Sequence, residues 1–284
     1  QEIYRLLIGF KKVLFANVLL FARTAGWSSI IIYYYYYNLP ITINSILELW
    51  LSFNLSTIII VVLYTLFIGY EYIHNLQFVS NWVKKGIRVC SVFMIATISL
   101  KLMEYANRFI VDYFMGKEMA GIFLFYSNIS MLITVYVNTI VISFELPELI
   151  ASSSSPSIHK LLVKFRKSLL THVLISSLFL LVIIKPLLIW QNKTEFETFI
   201  PLFFFLVVGS GIMNYSLIHH FKLYIFHHDK LLLKAMLIST IFSLLITLAL
   251  TFFWGIYGAG FAFIISSILL YFLRLHASKK ISYD

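Results

Sequence analysis

Charge is scarce in this chain: only 12% of its 284 residues are Asp, Glu, Lys or Arg, against about 25% in a soluble domain. That deficit excludes a water-soluble enzyme. Cysteine is nearly absent, and the lone Cys90 has no partner for an intrachain disulfide or a zinc site. The sequence contains no glycine-rich phosphate loop and no paired acidic motif of the DxD kind, so ATP hydrolysis and nucleotide-sugar chemistry lack their usual residues. What is present is apolar. Hydrophobic residues make up 61% and aromatics 18%, and a mean hydropathy of +0.91 is spread along the whole length. A single anchor or a signal peptide ahead of a globular domain would not distribute it so. The chain opens at Gln1 without an initiator Met and with a short amphipathic stretch, which leads us to expect that it begins inside a longer protein.

A helix crossing a hydrocarbon core of about 30 Å needs about 20 apolar residues. Eight runs qualify: Val13 to Tyr37, Ser45 to Tyr70, Val89 to Arg108, Gly121 to Leu146, Leu169 to Trp190, Phe199 to Phe221, Leu231 to Trp254 and Gly258 to Leu275. None shows the two-residue alternation of a barrel strand, and backbone groups in lipid must be bonded within the segment, so the runs read as helices. The expected fold class is therefore an all-α integral membrane protein with about eight transmembrane helices.

The net charge of +10 raises the question of nucleic acid, but the cations sit in the short stretches between apolar runs, where they set topology. One side collects sixteen of them: Arg5, Lys11, Lys12; Lys84, Lys85, Arg88; Lys160, Lys164, Arg166, Lys167; Lys222, Lys230, Lys234; and Arg274, Lys279, Lys280. The other side holds Arg108, Lys117 and Lys193. One miscounted helix would invert every later loop, so this asymmetry supports the layout and places both termini in the cytoplasm. The outward connections are short, the longest being about a dozen residues after Arg108 that read as a solvated loop. Aromatics such as Tyr33 to Tyr37, Trp50, Trp190 and Trp254 fall at the ends of runs, where amphipathic rings favour the headgroup zone.

An ionisable residue near the bilayer centre costs on the order of 2.5–3.5 kcal/mol on insertion scales, so such residues face a bundle interior or a cavity. Arg23 stands ten residues into the first run, and Lys101 and Glu104 stand deep in the third, with Arg108 at its outer end. Spacings of three and four put Lys101, Glu104 and Arg108 on one stripe of one helix. Two readings stay open: Lys101 and Glu104 neutralise each other and join helices, or the stripe and Arg23 line a wet cavity with surplus positive charge. Asn107, Asn128, Asn214 and His172 read singly as interhelical contacts. Gly209-Ser210-Gly211 offers either a helix break or a close-packing point. The adjacent pairs His219-His220 and His227-His228 point apart on a helix and make a poor metal site.

The stretch Arg108-Phe-Ile-Val-Asp-Tyr-Phe-Met-Gly-Lys-Glu-Met-Ala-Gly-Ile-Phe123, followed by Glu145-Leu-Pro-Glu-Leu149, resembles a segment of the Wzx-type O-antigen and polysaccharide flippases. These belong to the multidrug/oligosaccharidyl-lipid/polysaccharide exporter superfamily. Arg23-Thr-Ala-Gly-Trp27 is similar to that family's Arg-x-x-x-Trp element. The resemblance covers about fifty residues well. It implies a twelve-helix, two-lobe transporter of which this chain carries the last eight helices: residues 1–80 as the last two of the N-terminal lobe, and 81–284 as a six-helix C-terminal lobe. It further implies translocation of polyprenyl-diphosphate-linked repeat units across a bacterial inner membrane by alternating access, with a polysaccharide polymerase and a chain-length regulator as partners. No cofactor is expected beyond a proton or Na⁺ to couple the cycle. Arg23, Lys101 and Arg108 would attract the anionic carrier, and Glu104 would hold Lys101 or couple to the ion.

Two rival classes are weighed against this. A drug or cation antiporter of the same superfamily should present an acidic cavity, whereas the spans here carry surplus basic residues. A membrane O-antigen polymerase usually has a sizeable outer loop with arginines, and none is long enough here.

Overall fold

The computed structural model describes residues 13–68 and 80–280, and every element among them is a helix. The basic group Arg5, Lys11 and Lys12 and the Tyr70 end of the second run lie outside the described residues. The chain divides into two compact units, Gln1–Ser80 and Asn81–Asp284.

In the first unit, α1 (Val13–Phe21) passes through a π-helical segment, Ala22–Gly26, into α2 (Trp27–Tyr36). A turn led by Asn38, with φ of 51°, brings the chain into α3 (Ile43–Ile68). The start of α3 lies two residues ahead of the expected Ser45 because Thr42 and Ser45 cap it reciprocally. The Ser45 N–H donates to Thr42 Oγ1 at 3.1 Å, and the Thr42 N–H donates to Ser45 Oγ at 2.9 Å. Two orphan N–H groups at the helix entry are thereby satisfied.

The second unit runs through α4 (Ser80–Ser130), α5 (Leu132–Val137), a π segment (Asn138–Ile142), α6 (Ser143–Ala151), α7 (Ile158–Trp190), a 3-10 turn (Thr194–Phe199), α8 (Ile200–Tyr215), α9 (Leu217–Ile225) and α10 (Asp229–Lys279). Both α4 and α10 double back on themselves at a single glycine. Gly116 has φ 83° and ψ 174°, and Gly255 has φ 58° and ψ −141°, conformations open essentially to glycine alone. Arg108 hydrogen-bonds Asn128, twenty residues later, a pair that a straight helix would hold about 30 Å apart at 1.5 Å per residue. The solvated loop expected after Arg108 is thus corrected. Helix continues up to Gly116 and resumes beyond it, so Asp112, Lys117 and Glu118 stand on helices.

Five helices among the described residues are long and apolar enough to cross a membrane: Ile43–Tyr64, Met94–Ala151, Ile158–Trp190, Thr194–Ile225 and Asp229–Lys279. Burial follows the same logic. Large apolar side chains such as Val182, Leu245 and Phe253 face outward, while Ser239, Ser243, Thr247 and Thr251 are buried along one stripe of α10. A soluble fold would reverse that distribution, since its driving force is removal of apolar surface from water. Lipid supplies no such force between helices, which associate instead through close contact of small residues and hydrogen bonds. Thr240 Oγ1 donates to the Ser99 carbonyl of α4 at 2.8 Å, and Thr247 Oγ1 donates to Asn107 Oδ1 at 3.0 Å. The chain is an all-α protein of membrane-spanning character.

The glycines of Gly209-Ser210-Gly211 do not break α8, which is continuous from Ile200 to Tyr215. They let α10 approach: a Cβ on Gly209 would lie 2.5 Å from Cδ1 of Phe263. The interruption comes lower, at Ser216, where α8 gives way to the nine-residue α9.

Candidate functional site

Lys101, Glu104 and Arg108 project from the first arm of α4, where Lys101 pairs with Glu104 and both cations stand over Tyr105. The Glu104 side chain turns inward and is only 6% exposed, while Lys101 remains half exposed and donates from Nζ to Glu104 Oε2 at 2.6 Å. The Lys101 ammonium is 5.3 Å and the Arg108 guanidinium 4.6 Å from the centre of the Tyr105 ring. Both distances fall within cation–π range. Arg108 reaches across the Gly116 hairpin to donate from Nη2 to Asn128 Oδ1 at 2.9 Å. Its Nε is buried with no hydrogen-bond partner among the described residues.

Behind this face lies a polar seam inside the unit. A cavity of about 20 Å³ is lined by Glu104, Asn107, Ser127, Ser130 and Ser210 together with apolar groups such as Phe123 and Phe263. That volume is enough for about one water or an ion of similar size. Ser210 Oγ donates to Ser130 Oγ at 3.4 Å, and Asn214 Nδ2 donates to Thr134 Oγ1 at 2.9 Å, carrying the seam from α8 to the second arm of α4 and to α5. Asn214 Oδ1 is buried without a partner among the described residues. His172 is engaged elsewhere, its Nδ1 2.9 Å from the Tyr136 hydroxyl.

Arg23 belongs to the other unit. It is exposed on the π segment Ala22–Gly26. The same segment is fixed from below by Gly26, where a Cβ would meet the Phe53 ring of α3 at 2.7 Å. The resemblance-bearing Arg23 and Gly26 thus do different work: one presents a cation and the other admits a neighbouring helix.

Sequence reasoning missed two things. The seam rests on Ser127, Ser130 and Ser210, residues too common in apolar helices to signal a site; only the cavity they line together with Glu104 marks them. The second is Arg274. The charge pattern places it with Lys279 and Lys280 between apolar runs, yet it is 1% exposed and among the largest fully buried side chains. No group of three or more His, Cys, Asp or Glu residues among those described could hold a metal.

No protein-family model, no curated protein and no solved structure matches this chain.

Proposed function

We propose that this chain is part of a flippase that moves polyprenyl-diphosphate-linked oligosaccharide repeat units across a bacterial inner membrane. It is a transporter, not an enzyme. We read the chain as crossing the membrane eight times, with the two arms of α4 and of α10 as separate spans and both termini in the cytoplasm. These spans correspond to the last eight of a twelve-helix, two-lobe transporter that works by alternating access.

The observation that carries this reading is the face formed by Lys101, Tyr105 and Arg108 over the inward-turned Glu104. Two cations set against one carboxylate leave a positive surplus, and a partly desolvated setting strengthens its pull on an anion relative to bulk water. Tyr105 between the cations offers an aromatic surface for a sugar ring. Arg23, in the first unit, is assigned to the anionic carrier on the family resemblance alone, and Glu104, lining the small polar cavity, is the group that takes up the coupling proton or Na⁺. Polysaccharide polymerase and chain-length regulator act on the product.

The test replaces Arg23 and Lys101 separately by Ala in the full-length protein and follows the appearance of repeat units on the cell surface. Loss of export at wild-type protein levels is expected from each. Undiminished export from both would overturn the role given to these cations.

A further inference from the structure

The joint at Ser216 meets the end of α10 in a second charged cluster, remote in sequence from the Lys101 stripe. Arg274 Nη1 donates to Ser216 Oγ at 2.6 Å, while Ser216 spends its own hydroxyl proton on the Met213 carbonyl at 2.6 Å. Arg274 is 1% exposed, and its Nε and Nη2 have no hydrogen-bond partner among the described residues. Those two nitrogens form the side edge of the guanidinium, the edge that pairs two parallel N–H bonds with the two oxygens of a carboxylate or phosphate. Arginine does not shed its proton in proteins, and a buried charge without a counterion costs several kcal/mol.

Among the described residues, neither ion pair involves Arg274: Lys101 pairs with Glu104 and Lys164 with Glu148. The charged groups acting on His219, next to the joint, are Lys222, Arg166, Arg274 and Lys279, all cations. His219 Nδ1 is tied to Ser278 Oγ at 2.9 Å, but His220 Nδ1 is buried without a partner among the described residues. An open guanidinium edge and a spare imidazole nitrogen, in a neighbourhood where cations surround His219, suit a multiply charged oxyanion better than a single carboxylate.

We propose that the Ser216–Arg274 joint is a binding site for a phosphate group, gripped by Nε and Nη2 of Arg274 with His220 as a further donor. The site lies where α9 begins, at Ser216, and near the end of the last apolar run. A lipid headgroup phosphate and free phosphate share this chemistry. The proposal does not depend on the transport reading.

The experiment measures thermal unfolding of the purified full chain in two arms. One arm uses delipidated protein in neutral detergent, with inorganic phosphate or pyrophosphate against chloride at equal ionic strength. The other uses nanodiscs of phosphatidylglycerol against phosphatidylcholine. A rise in midpoint in the first arm identifies free phosphate as sufficient; a rise in the second arm alone identifies the headgroup. In the responding arm, Arg274→Gln is expected to lower the apparent affinity at least tenfold. Arg274→Lys, which keeps the charge and removes the paired edge, is expected to fold and bind more weakly. The proposal is overturned if the wild type responds in neither arm or if the folded variants respond as the wild type does. It is equally overturned if Asp284→Asn lowers the unliganded midpoint as much as Arg274→Gln, since the chain's own carboxylate would then fill the edge.

Discussion

The ammonium of Lys101 and the carboxylate of Glu104 are joined at 2.6 Å, yet one side chain is half exposed and the other almost wholly enclosed. The two partners are therefore not equivalent. Lys101→Ala strands a carboxylate out of water, whereas Glu104→Gln leaves a lysine that solvent can still reach. Leaving a buried charged group unsatisfied costs about 1–3 kcal/mol or more. The lysine variant should unfold at lower temperature than the glutamine variant, as read by intrinsic tryptophan fluorescence in detergent. Equal losses would mean that the carboxylate has a second partner.

The α8–α10 contact predicts a steric pair. Gly209→Ala drives a methyl group to within 2.5 Å of Phe263, and overpacking of this kind costs about 1–3 kcal/mol. Phe263→Leu removes the ring edge and should recover part of that loss when the two changes are combined. A double-mutant cycle showing simple additivity would refute the contact.

Thr247→Val leaves Asn107 Oδ1 without its interhelical donor. Hydrogen bonds between membrane helices average about 0.6 kcal/mol and reach about 1.7. The loss should accordingly be small, nearer 1 kcal/mol than the several expected for a stranded ion, and detectable in a denaturant titration.

The alternation of cations predicts sidedness. With Cys90, the only native cysteine, replaced by Ser, a cysteine at 117 or 193 should react with a membrane-impermeant maleimide added outside intact cells. One at 160 or 230 should react only after permeabilisation. Labelling of all four from outside would contradict the proposed topology.

Helical character was legible because lipid leaves backbone groups no alternative within long apolar runs. Helix ends were less so. Gly116 serves as a complete turn although Asp112, Lys117 and Glu118 around it look like a hydrated connection, and charge content alone does not separate a loop from the solvated end of a helix. The i, i+3, i+7 spacing of Lys101, Glu104 and Arg108 foretold a shared face. It did not reveal which member turns inward, because that depends on the seam residues supplied by α8 and the second arm of α4. Arg274 is hidden from the sequence for a related reason: a position near the end of an apolar run implies exposure only where nothing packs against it, and here Ser216, at the start of α9, does.

The π segment Ala22–Gly26 also has a bearing on how the first unit came to be shaped. Such a segment fits one more residue into a turn than an α-helix does, and one residue is worth about 100° of azimuth at 3.6 per turn. Excising a single residue there would straighten the winding and swing Arg23 about a quarter of a revolution away from the direction set by Trp27–Tyr36. The bearing of that cation is thus written in the length of the segment as much as in the identity of the side chain.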